Sequence, residues 1–94
     1  MLFGEHILDY WDDILNDLGK IVAVPSVCGE RDGDYPYGKE PARAIDTMME
    51  LAESYGLKTK NVGYYAAHAE YGEGEENAVV MAHVDVVPAG EGWN

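Results

Sequence analysis

Ala78-Val79-Val80-Met81-Ala82-His83-Val84-Asp85-Val86-Val87-Pro88 is the stretch on which the reading of this chain turns. Residues 78–82 are continuously apolar and partly β-branched, the pattern of a strand buried on both faces. A polar pair follows where that run ends. Side chains on a strand alternate with period two, so His83 and Asp85 fall on one face. The C-terminal end of a central strand in an open α/β sheet enters the crevice where ligands bind. A neutral imidazole there suits zinc, and a carboxylate beside it fixes the ring's orientation. Spacing alone also fits, and more commonly marks, a packed or surface histidine, because His-x-Asp recurs by chance.

Upstream of this run, Leu57, Thr59 and Asn61 alternate with Lys58, Lys60 and Val62, and residues 67–71 form a second candidate strand. Gly63 lies between them, which predicts a hairpin. Residues 72–77, Gly-Glu-Gly-Glu-Glu-Asn, read as a polar turn. Further back, Pro41 suits the first turn of a helix, Ile45, Met48, Met49 and Ala52 line one of its faces, and Gly56 caps its end. Residues 26–39 collect glycine, aspartate and proline without periodicity and read as a long loop. Before that loop, Ile7, Leu8, Trp11, Ile14, Leu15, Leu18 and Ile21 recur at three- and four-residue steps, which predicts an amphipathic helix with its stripe in the core. Pro25 stops it. The expected architecture is α/β: two amphipathic helices packed on a small mixed sheet of about three strands, in one unit over residues 1–94.

Composition narrows the function. Six basic and eighteen acidic side chains give a net charge of -12, which repels nucleic acid and anionic membrane surfaces. The same field draws cations, including divalent metals and substrates with a free ammonium group, although acidity also serves plain solvation. No apolar run is long enough for a bilayer. Met1-Leu2-Phe3-Gly4-Glu5-His6 lacks the basic region and apolar core of a secretory signal, so a cytoplasmic protein is expected. A single cysteine, Cys28, excludes an internal disulfide and has no Cys-x-x-Cys partner.

The apolar strand followed by residues 83–93, His-Val-Asp-Val-Val-Pro-Ala-Gly-Glu-Gly-Trp, resembles the first metal motif of the dinuclear zinc hydrolase superfamily of aminoacylase, carboxypeptidase G and succinyl-diaminopimelate desuccinylase. Ile21-Val22-Ala23-Val24-Pro25-Ser26-Val27 and the helix opening Gly38-Lys39-Glu40-Pro41 resemble the same superfamily. Residues 58–62, the Ala67-His68 strand, residues 72–76 and residues 88–93 look most like the peptidase V dipeptidases. Carried onto this sequence, the resemblance implies that His83 ligates one of two zinc ions and that Asp85 is the carboxylate holding its ring. Cobalt or manganese in place of zinc stays open. The implied activity is hydrolysis of dipeptides, with removal of acyl or succinyl groups from N-acylated amino acids as the alternative.

In that superfamily the other ligands and the general base follow the His-x-Asp strand. The expectation is therefore an N-terminal, incomplete part of a catalytic domain, inactive by itself, since a catalytic zinc needs about three protein ligands. Glu75-Glu76 resembles the superfamily's glutamate pair but precedes His83 in a glycine-rich turn, so it is read as solvated. His6 and His68 are read as exposed or satisfied histidines, and Ser26 and Ser54 have no recognisable base. A different class of reading is a non-catalytic module that self-associates through the unpaired strand of residues 78–87.

Overall fold

In the computed structural model, which describes residues 4–93, the hairpin and the second helix form where local signals place them. The leader reading rests partly on residues 1–3, and the expected stop falls on Asn94; both lie outside the described residues. A short 3-10 turn, Ile7–Tyr10, leads into helix α1, Trp11–Val22. Asp12 and Asp13 in its first turn and Lys20 in its last complement the helix dipole. Helix α2 spans Lys39–Ser54. It ends in a Schellman motif: Gly56 N–H donates to Glu53 O (2.9 Å) and Leu57 N–H to Ala52 O (3.1 Å). Gly56 sits at φ +84°, a conformation only glycine adopts without strain.

Strands β1, Lys58–Val62, and β2, Ala66–Glu70, pair antiparallel with Lys60 opposite His68 and Val62 opposite Ala66. Their turn has positive φ at Gly63 and Tyr64 and a Tyr65 N–H to Val62 O bond of 3.1 Å, the signature of a type I′ turn that matches strand twist. Tyr64 tolerates its left-handed backbone because both ends of the residue are held. Its N–H donates to Asn61 Oδ1 (2.8 Å) and its hydroxyl donates to Asp46 Oδ1 on α2 (3.0 Å). The same turn receives the long loop. Tyr35 meets Tyr64 edge-to-face at 5.0 Å, Tyr37 meets Tyr65 at 5.8 Å, and Arg31 donates to the Tyr65 hydroxyl at 2.6 Å.

Layering follows from these contacts: α2 lies against both strands, and α1 lies against α2. The Tyr55 hydroxyl, just past α2, donates to Asp17 of α1 and joins the two helices. The buried core is small and centres on Val24, Ser26, Ala42, Ala44 and Ile45.

Three expectations are corrected. Among the described residues the α/β arrangement of two helices on a small sheet holds, but the sheet has two antiparallel strands rather than about three mixed ones. Residues 78–82 form no strand, and Val79, Val80 and Met81 stand in solvent, Val80 at 95% exposure. A strand buried on both faces needs a neighbour at each edge and a layer on each face, and among the described residues this segment has none. The α1 stripe is also not core: Ile7, Leu8, Trp11, Leu15 and Leu18 are exposed, because among the described residues the one element packed on α1 besides its own 3-10 turn is α2. The chain accordingly exposes 8232 Å², where a compact monomer of 10.3 kDa exposes about 5400 Å².

Candidate functional site

The segment that carries His83 and Asp85 is fixed from its far side. Pro25 follows the end of α1, and the chain there folds through two i→i+2 hydrogen bonds, Ser26 N–H to Val24 O and Val27 N–H to Pro25 O, both 2.8 Å. This tight bend turns Ser26 inward, where it is 1% exposed. Its hydroxyl donates to Val84 O (2.6 Å), and its carbonyl accepts from Val86 N–H (3.1 Å). Val27 and Val86 thereby form a parallel bridge, the sole β-type pairing of residues 78–93 among those described.

Opposite the bridge, His83 Nδ1 lies 3.2 Å from Asp85 Oδ1 and 3.0 Å from Asp85 O. Two acceptors at Nδ1 assign the proton to that nitrogen, which leaves the Nε2 lone pair free to bind a Lewis acid. The ring is exposed, with 83% of its side-chain surface open to solvent. Both residues line an open trough of 1260 Å³ whose other walls are α2, through Pro41, Ile45 and Met48, and strand β2. The pair predicted from the sequence is therefore brought together at the edge of a groove.

Of the remaining candidates, His68, Glu76 and Cys28 line the same trough, with no hydrogen bond or ion pair to His83 or Asp85 among the described residues. No group of three or more histidine, cysteine, aspartate or glutamate side chains among the described residues is arranged to hold a metal ion. The donors present thus fit one imidazole ligand and its orienting carboxylate, not a full coordination sphere. His68 faces Glu70 at 3.7 Å on β2, and His6 lies near Glu5 and Asp9 at 3.5 and 3.6 Å on the 3-10 turn. Glu75 and Glu76 sit exposed in the bend after β2, and Cys28 is free and exposed. Ser26 is the residue that sequence reading passed over: a lone serine after a proline carries no mark of a partner 58 positions away.

No family model matches the chain. It is 38% identical over 95 aligned residues to proteins named "Putative dipeptidase" from Staphylococcus aureus strains USA300, COL and N315. The alignments cover 99% of this chain and 20% of each relative. The chain thus spans about a fifth of the length of the curated relatives it matches. No helix among the described residues is long and apolar enough to cross a membrane. Over that fifth, the chain is similar to proteins named as dipeptidases.

Proposed function

We propose that this chain is part of the catalytic domain of a zinc-dependent dipeptidase, in which His83 contributes a metal ligand and Asp85 holds its ring. The observation carrying this reading is the His83 imidazole bound through Nδ1 to Asp85 with Nε2 free at a groove edge. The names of the relatives support the substrate class. Two zinc ions, or cobalt or manganese, would polarise a scissile peptide carbonyl and activate water. The chain's own residues supply orientation: Asp85 fixes the tautomer and aim of His83, and the trough wall of α2 and β2 offers an apolar side next to it. The acidic surface favours a substrate carrying a free ammonium group, as a dipeptide does. Residence in the cytoplasm belongs to this proposal. Removal of acyl or succinyl groups from amino acids is the alternative substrate class.

With one of the needed ligands among the described residues, the 94-residue chain is expected to hydrolyse no dipeptide when zinc is added. A longer protein carrying this sequence is expected to do so, and to lose at least about a hundredfold in kcat/KM on His83→Ala, the order seen when the support of a metal site is removed. Full activity of that variant would sink the ligand role. A second reading rests on the exposed Val79, Val80, Met81 and Val87: the chain associates with a second copy of itself through residues 78–87. Light scattering at rising concentration is expected to show dimers or larger species, and a monomer throughout would dismiss it.

A further inference from the structure

The structure assigns Ser26 as a positioning residue that aims Asp85 at His83. The inference rests on the reading of His83 as a ligand, yet its geometry stands apart from any metal. The two bonds of Ser26 fall on either side of Asp85. Val84 O belongs to the peptide that precedes Asp85, and Val86 N–H to the peptide that follows it. Holding both planes fixes φ and ψ of Asp85, and with them the direction of its Cβ. In a trans peptide the carbonyl and the N–H point opposite ways. Drawing Val86 N–H toward Ser26 therefore turns Asp85 O away from Ser26, and that oxygen is the one His83 Nδ1 meets at 3.0 Å. The carboxylate of the same residue meets Nδ1 at 3.2 Å.

Burial supports a dedicated role. Ser26 is the one buried polar residue among those described, and a buried hydroxyl is tolerated where its hydrogen bond is made. Its partner segment is otherwise held by little: Val79, Val80, Met81 and Val87 are all exposed. Ser54, by contrast, is exposed and donates to Leu51 O within its own helix, at 2.6 Å, so it serves as a control.

The test uses the 94-residue chain and the tautomer of the His83 ring, read from ring nitrogen shifts by NMR at a pH where the ring is neutral. Wild type is expected to hold the proton on Nδ1. Ser26→Ala is expected to move the tautomer ratio toward Nε2–H by about fivefold, the factor corresponding to one net hydrogen bond. Ser26→Thr, which keeps a hydroxyl, is expected to restore it, and Ser54→Ala to leave it unchanged. Cross-strand signals between β1 and β2 report whether the fold persists. Where Ser26→Ala loses them, Ser26→Cys, close in size but a weak donor, gives the deciding reading. An Nδ1–H tautomer retained at wild-type level in a folded variant without the hydroxyl overturns the inference. The longer protein separates the underlying reading: full activity of its His83→Ala variant would refute the ligand role, while the tautomer result in the 94-residue chain still judges Ser26.

Discussion

Replacing Ile45 and Val80 by alanine, one at a time, asks which apolar residues hold this chain together. Ile45, on the buried face of α2, is 7% exposed, whereas Val80 is 95% exposed. Ile45→Ala removes three carbons; at about 0.8 kcal/mol per buried methylene the loss is roughly 2.4 kcal/mol. Ile45 also borders the open trough, so little sealed cavity is left behind and the cost stays at the low end of such substitutions. Val80→Ala removes two carbons already in water and is expected to stay within about 0.5 kcal/mol. With a urea slope near 1 to 1.5 kcal/mol per molar for a chain this small, the Ile45 variant shifts its midpoint by roughly 2 M. The shift of the Val80 variant falls below about 0.5 M. Circular dichroism of both variants in urea measures this directly. Equal losses would refute the reasoning, because they would mean that residues 78–82 are packed in the folded state as firmly as α2.

Further outcomes follow from other contacts. The Tyr64 hydroxyl donates to the Asp46 carboxylate, and that bond, with burial and the nearby charge, raises its pKa above 10.0. The neutral phenol is thus favoured in the folded chain: its contribution is intact below pH 10 and is lost as pH rises through the raised value. Spectroscopic titration is expected to show two tyrosines titrating late, Tyr55 through its bond to Asp17 and Tyr64 through its bond to Asp46, of which one reverts in Asp46→Asn; no change in that variant would refute the assignment. At Gly56, φ is +84° and a Cβ would meet no atom within 4 Å, so Gly56→Ala is expected to cost about 1 kcal/mol from backbone conformation alone. Gly56→Asn should cost less, and thermal unfolding that ranks alanine at or above glycine would exclude the Schellman assignment.

What the sequence conveys here is local. The hairpin announces itself through period-two alternation and Gly63, and α2 through Pro41 and Gly56, since each signal acts within a few residues of the structure it sets. The stretch at residues 78–82 misleads for the converse reason. Apolarity records what a segment gains by burial, while burial itself depends on neighbours that the described chain does not provide. The stripe of α1 fails identically. His83 and Asp85 could be paired from spacing because i and i+2 share a strand face, and extended backbone suffices for that. Ser26 could not, and neither could the seating of the long loop, although tyrosines at 35, 37, 64 and 65 were its visible trace.

The bond from Ser26 to Val84 also orders events in time. It joins residues 58 positions apart, whereas the β1–β2 turn closes over three residues. Closing the longer loop costs chain entropy that grows with the logarithm of its length, so short-range elements form first. On a ribosome, the hairpin can assemble while the histidine has yet to emerge. The aim of His83 is therefore expected to be among the last features acquired, and pulse-labelled hydrogen exchange should protect the β1 and β2 amides before that of Val86.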